Sequence, residues 1–132
     1  MITLATLEQA TAQQVFDQVA RHLLTQNAKS GVQYDKVDDT SEPFRCLYRD
    51  PEGRKCAAGC LIADDEYKEE FEDSGWASLV LTSRVQTTAH IDLIRDLQYV
   101  HDNNEPNDWL ARLRDVASYN HLNPAVLDEF VP

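Results

Sequence analysis

Basic residues are scarce in this chain. Its 132 residues include 12 lysines and arginines against 23 aspartates and glutamates, which gives a formal net charge of −11. Affinity for nucleic acid comes mainly from lysine and arginine side chains that neutralise phosphates. We therefore predict that the protein does not bind DNA or RNA directly. The acidity keeps a small protein soluble, and it also suits binding to a basic partner.

Long apolar runs and targeting signals are missing as well. No apolar segment approaches the roughly 18 residues that a membrane-spanning helix needs. Residues 1–9 carry no basic side chain and soon meet an acid, so we expect no signal peptide. The sequence thus predicts a cytoplasmic protein without membrane contact. Its length is enough for one domain with a real core, and we predict a single domain over residues 1–132.

Familiar catalytic motifs are also absent. The chain has no glycine-rich phosphate loop, no nucleophile elbow and no His-Glu-x-x-His motif. A cysteine nucleophile needs a histidine base, and His101 beside Asp102 is a candidate for a base with its orienting carboxylate. Adjacent residues of a helix point in different directions, so we interpret this pair as the polar end of a helix, where the dipole favours histidine. We predict no enzymatic activity and no catalytic residue.

All three cysteines lie in one short segment, at positions 46, 56 and 60. Their odd number in a cytoplasmic protein favours free thiols over disulfides. Residues 50–53 (Asp-Pro-Glu-Gly) have the chemistry of a tight turn, and residues 46–49 and 54–57 on either side roughly alternate apolar and polar side chains. This pattern predicts a β-hairpin that brings the first two cysteines together.

The cysteines have two interpretations. Free cysteine behaves as a small apolar residue and is often buried. Alternatively, the three thiols and a histidine such as His90 or His101 complete a tetrahedral zinc site. The C-x₃-C spacing differs from the paired C-x-x-C of strong zinc motifs. We therefore favour packing in the core, and we predict no metal ligand and no cofactor.

Helices are predicted on both sides of the cysteine segment. A capping box at residues 11–14 precedes an amphipathic helix over residues 12–27. A long helix over residues 87–101 and a second over residues 106–119 follow, and their short connection makes them an antiparallel pair. The predicted fold class is α+β: an N-terminal helix, a short β-hairpin, then a mostly helical C-terminal half with an antiparallel helix pair.

Residues 64–73, here called the acidic segment, carry seven carboxylates against one lysine. Aspartate at its start is a natural N-cap, and acids suit the first turn of a helix, so we predict a helix here. Tyr67 and Phe71, four residues apart, can face the core together. The acids are either a solvated helix face or a patch that binds a basic partner. The predicted partner-binding residues are Asp64, Asp65, Glu66, Glu69, Glu70 and Asp73.

The cysteine segment reads Cys46-x-Tyr-Arg…Gly53-x-Lys-Cys56-Ala-x-Gly-Cys-Leu-Ile…Asp-Glu-Tyr67. It resembles a group of small, acidic, uncharacterised proteins of bacteria and their phages. The resemblance extends to Val15-Phe-Asp-Gln-Val-Ala-Arg-His-Leu and to Leu97-Gln-x-Val-His-Asp102, and so covers most of the chain. It implies a prokaryotic or phage context, in which small acidic proteins are often inhibitors of host machinery, including anti-defence proteins.

The resulting functional hypothesis is a non-enzymatic, acidic protein-binding module. On this hypothesis it acts as a phage-type inhibitor or anti-defence protein on a basic surface of a host protein. The alternatives are a small zinc-binding protein that uses the cysteine hairpin, and a housekeeping domain.

Overall fold

The structure, a computed structural model, describes residues 1–33 and 44–131. Along the chain a short 3-10 turn (Leu7–Gln9) and an α-helix come first, then an antiparallel strand pair, then further helices. The predicted α+β class, with its N-terminal helix and helical C-terminal half, is confirmed. Most of the polar loop predicted at residues 30–43 lies outside the described residues.

Helix α1 (Ala12–Gln26) matches the predicted span of residues 12–27 to within one residue. A capping box closes its first turn, because the Gln14 N–H donates to the Thr11 hydroxyl (3.1 Å) and the Thr11 N–H donates to the Gln14 amide oxygen (2.9 Å). Asn27 ends the helix in the left-handed conformation, which asparagine tolerates. The buried stripe of α1 comprises Val15, Phe16, Val19, Ala20 and Leu23.

Two short strands form the sheet of the described residues. Strand β1 (Gly31–Gln33) runs antiparallel to β2 (Phe44–Cys46), and Gly31 lies opposite Cys46. A Cβ atom at Gly31 would collide with the Arg45 carbonyl and the Phe44 ring. Glycine at this position therefore allows the two strands to approach.

The predicted hairpin has its turn but not its strands. The turn at residues 50–53 is closed by a 3.0 Å hydrogen bond from its last N–H to its first carbonyl. Residues 46–49 and 54–57 share only a single bridge, between Arg49 and Lys55. The prediction that Cys46 and Cys56 lie on adjacent paired strands was therefore wrong, because Cys46 pairs with Gly31 of β1 instead.

Side-chain carboxylates accept the backbone N–H groups that a longer hairpin would pair between its strands. The backbone N–H groups of Tyr48 and Arg49 donate to the Glu72 carboxylate, at 2.9 and 3.2 Å. On the other side of the turn, the Arg54 N–H donates to the Asp50 carboxylate at 2.9 Å. The two carboxylates thus accept the backbone N–H groups that a second β-ladder would otherwise pair. Hydrogen bonds to a charged group are also stronger than those of a neutral pair.

The acidic segment does not form the predicted helix. It contains one 3-10 turn at Glu69–Phe71, and another 3-10 turn, Gly59–Leu61, precedes it. A regular helix would stack like charges four residues apart, such as Asp65 on Glu69, and such pairs are destabilising. Tyr67 and Phe71 nevertheless meet as predicted, edge to face with ring centroids 6.4 Å apart.

Three α-helices follow, α2 (Trp76–Leu81), α3 (Ile91–Asn103) and α4 (Pro106–Tyr119), and a 3-10 helix, Ala125–Phe130, comes after them. Helix α4 coincides with its predicted span, and it packs against α3 as the predicted pair. Helix α3 begins later than predicted. The Thr87 hydroxyl accepts the backbone N–H two residues on (3.1 Å), and His90 is left-handed, so neither can lie inside a helix.

One cluster of buried side chains joins these elements. Helix α1 packs against α3, α4 and the 3-10 helix Ala125–Phe130, so it forms the centre of the fold. Full burial of each large apolar side chain contributes about 1.5–3 kcal/mol. The largest fully buried side chains are Trp109, Phe16, Phe71, Leu7, Leu23, Leu61, Ile62, Leu79, Ile94, Leu97, Leu113 and Leu127.

Candidate functional site

The six predicted partner-binding acids have two different roles in the structure. Asp64 pairs with Arg49 (2.9 Å), and Asp73 pairs with Arg45. Glu66 is half-buried, and its carboxylate accepts backbone N–H groups from residues 4, 5 and 63 at 2.9–3.0 Å. These three acids are therefore occupied within the chain, and Glu66 in particular ties the N-terminal segment to the acidic segment.

The remaining three acids are Asp65, Glu69 and Glu70. All three are exposed, and none forms an ion pair within residues 1–33 and 44–131. Glu69 and Glu70 open the 3-10 turn at Glu69–Phe71, whose Phe71 is buried. The turn thus has a fixed apolar side in the core and a charged side in solvent.

Glu72 anchors the acidic segment, although its sequence context gives no sign of this role. Its carboxylate accepts three hydrogen bonds: from the N–H groups of Tyr48 and Arg49 and from the Tyr67 hydroxyl (2.7 Å). The Arg49 guanidinium lies over the Tyr67 ring, 4.7 Å from its centroid. Burial and the bond to Glu72 together raise the pKa of Tyr67 to about 12.

The three cysteines are free thiols, and the structure does not gather them into one site. Burial raises the pKa of Cys60 to about 12 and that of Cys56 well above its usual value. Burial, followed by the Asp102 carboxylate, raises the pKa of Cys46 to about 12. The thiolate is the nucleophilic form of cysteine, so these surroundings disfavour a nucleophilic role.

One cluster of metal-ligating residue types occurs among the described residues: Cys46, His101 and Asp102, with one ligand atom each lying within 4.8 Å of the others. The His101 ring is fully buried and stacks on Trp109 at 5.5 Å. Its Nε2 accepts the Ser30 N–H at 3.0 Å, and its Nδ1 lies 2.8 Å from Asp102 Oδ1. A backbone N–H can only donate, so Nε2 carries no proton and Nδ1–H donates to Asp102.

This pattern corrects one step of the sequence analysis. His101 and Asp102 do meet, although they are adjacent on a helix. Both ring nitrogens are nevertheless occupied. If Nδ1 bound a metal, the ring proton would have to sit on Nε2, where this proton would point at the Ser30 N–H. If His101 acted as a base for Cys46, one of its ring nitrogens would have to be free. The cluster fits a structural hydrogen-bond network better than a metal or catalytic centre.

Comparison with known proteins gives no match, since no family model, no curated protein and no solved structure matches this chain. The resemblance to small acidic bacterial and phage proteins therefore stays a prediction. Among residues 1–33 and 44–131, no helix has the length and apolar character needed to cross a membrane.

Proposed function

We propose that this chain is a non-enzymatic protein-binding module, a phage-type inhibitor or anti-defence protein that binds a basic surface of a host protein. The observation that supports the proposal is the state of the acidic segment. The carboxylates of Glu66 and Glu72 tie the segment to the rest of the chain, because they accept five backbone N–H groups from outside it and the Tyr67 hydroxyl. Asp65, Glu69 and Glu70 are exposed.

A fixed set of unpaired charges suits electrostatic recognition. Complementary charge steers encounter and raises the association rate, and the whole chain adds to this field with its net charge of −11. Because Glu66 and Glu72 already tie the segment to the rest of the chain, less conformational entropy is lost on binding than for a mobile acidic tail. A cytoplasmic setting belongs to the same proposal, since the three free thiols suit a reducing compartment.

The test is capture of partners from prokaryotic lysate by the tagged protein, at low and at high salt. We expect a basic protein that is retained at low salt and released at high salt. The double variant Glu69→Lys/Glu70→Lys should lose it. The matched control is Glu8→Lys/Asp128→Lys, which makes the same charge change at two other exposed acids and should retain it. Equal retention by all three proteins would reject the acidic segment as the binding site.

The zinc alternative is supported in the described residues only by the Cys46, His101 and Asp102 cluster. The two hydrogen bonds of the His101 ring oppose it. Elemental analysis of protein purified without chelators is the direct measurement, and we expect no stoichiometric zinc. One zinc per chain would replace the present proposal with the zinc-binding alternative.

A further inference from the structure

In its neutral form, the ring of His101 uses both of its nitrogens. Nδ1–H donates to Asp102 Oδ1 (2.8 Å), and Nε2 accepts the backbone N–H of Ser30 (3.0 Å). The ring is fully buried, and Trp109 stacks on it with ring centroids 5.5 Å apart. A second proton can therefore enter the ring only at Nε2, where it would face the Ser30 N–H. Two donors cannot share a hydrogen bond, so protonation of His101 is incompatible with this contact.

Ser30 connects the ring to the strand pair and to the turn at residues 50–53. It is fully buried and directly precedes β1. Its carbonyl accepts the N–H of Leu47 (3.1 Å), and its hydroxyl lies 2.7 Å from the Leu47 carbonyl and 3.0 Å from the Arg54 carbonyl. A buried donor without an acceptor is costly. Loss of the His101 acceptor therefore favours a movement of Ser30 that brings its N–H to water.

Opposing effects act on a second ring proton. The Asp102 carboxylate favours the imidazolium, whereas burial and the Ser30 N–H favour the neutral ring. Trp109, which contacts the ring from α4, carries no charge. In the part of the chain that the structure describes, other ionisable side chains near His101 or Asp102 come from α1, β2 and the segments next to the strands: His22, Lys29, Cys46, Tyr48 and Cys56.

Most of these neighbours carry no charge near neutral pH. Burial raises the pKa values of the two cysteines and the tyrosine and lowers the pKa of the histidine. The Lys29 ammonium has a carboxylate of its own, that of Glu105, at 3.8 Å. Asp102 is thus the neighbour whose charge favours a second proton on His101.

The strand pair is also connected to the acidic segment. Arg45 of β2 pairs with Asp73 of that segment. Leu47, whose N–H donates to the Ser30 carbonyl, lies two residues further along the chain. A change at Ser30 therefore acts close to the surface that we propose for partner binding.

We propose that His101 is an acid-sensitive switch, which holds the strand pair at neutral pH and releases its Ser30 end in mild acid. A proton from solvent binds Nε2, the imidazolium stays bonded to Asp102, and the Ser30 N–H exchanges the ring nitrogen for water. Histidine is the side chain whose charge ordinarily changes between about pH 5 and about pH 8. The switch is a property of the fold and does not rest on the proposed function.

The test is a nuclear magnetic resonance titration of the isotope-labelled protein from about pH 8 to about pH 5, the range in which histidine ordinarily titrates. The His101 ring signals report protonation, and the backbone amide signal of Ser30 reports the contact. We expect the Ser30 signal to move with the same midpoint as the ring. Exchange of the Ser30 amide with solvent, corrected for its intrinsic pH dependence, should become at least about ten-fold faster. The amide of Leu113, inside α4, should keep its exchange rate.

Two variants with equal charge change identify the group that favours the proton. Asp102→Asn keeps an oxygen that can accept the His101 Nδ1–H but removes the charge. It should move the midpoints of the ring and of the Ser30 amide together to lower pH, by about one unit or more. Asp92→Asn removes an exposed charge from the first turn of the same helix. It should move them by less than about 0.3 unit, because distance and salt screen that charge.

A ring that stays neutral down to about pH 5 would overturn the switch. A ring that gains a proton while the Ser30 amide keeps its signal position and its exchange rate would overturn it too. Equal shifts of the midpoint in the two variants would also contradict the proposal, since the Asp102 carboxylate would then not hold the imidazolium.

Discussion

His101 and Asp102 are neighbours in sequence and hydrogen-bond partners in space, with Nδ1 and Oδ1 2.8 Å apart. The bond fixes the ring so that Nε2 accepts the N–H of Ser30, one residue before β1. The same ring stacks on Trp109 of α4. One buried histidine thus links the strand pair, α3 and α4, and this link is a structural role.

The first prediction concerns that link. His101→Phe keeps a flat ring against Trp109 but leaves the Ser30 N–H without an acceptor and removes a donor to Asp102. We expect a loss of about 2–4 kcal/mol in the free energy of unfolding, measured by urea denaturation. His121→Asn is the control, because His121 is exposed and left-handed, a conformation that asparagine tolerates. It should change stability by less than about 0.5 kcal/mol. Equal, small changes in both variants would contradict the structural role of His101.

The second prediction separates two neighbouring kinds of acid. Glu72→Gln removes the charge from a carboxylate that accepts three hydrogen bonds, so unfolding should become easier by about 1–3 kcal/mol. Glu70→Gln removes an exposed charge and should leave stability within about 0.5 kcal/mol. Spectrophotometric titration gives a second readout, since Tyr67 should ionise at lower pH in Glu72→Gln. Equal stability of the two variants would show that Glu72 is not an anchor.

Local signals were sufficient to predict the helices α1 and α4. The capping box at Thr11 and Gln14 and the proline at the start of α4 both act within one turn of the residues concerned. The strand pair was harder, because β2 pairs with Gly31 rather than with the nearer residues 54–57. Short strands carry too little alternation to specify their partner.

The acidic segment shows why half of the candidate site was not predictable. Glu66 bonds to Leu4, 62 residues away, and Glu72 bonds to Tyr48, 24 residues away. In sequence these two acids look the same as Glu69 and Glu70, which remain in solvent. A local pattern predicts an acidic helix, but contacts between distant segments decide which carboxylates become hydrogen-bond acceptors for the backbone.

The third prediction is that the thiols react slowly. Cys46 and Cys60 have their pKa values raised to about 12, chiefly by burial, so little thiolate is present at neutral pH. We expect alkylation by iodoacetamide at least about ten-fold slower than that of free glutathione, with the rate restored in urea. A single cysteine that reacts faster than glutathione in the folded protein would support a catalytic thiol instead.

The last prediction is a loss of stability in alkaline solution. Burial raises the pKa of Cys60 from 9.0 to about 12, and burial with Glu72 raises that of Tyr67 from 10.0 to about 12. The unfolded chain therefore loses these protons first as the pH rises. The contribution of the protonated Cys60 and Tyr67 side chains to stability is complete below about pH 9 and declines as the pH approaches 12.

Thermal unfolding at a series of pH values, with a phosphine reductant present, should show a falling midpoint above pH 9. In Cys60→Ala the fall should be shallower, because one of the groups is gone. An equally steep fall in that variant would mean that the Cys60 thiol is not desolvated in the folded protein.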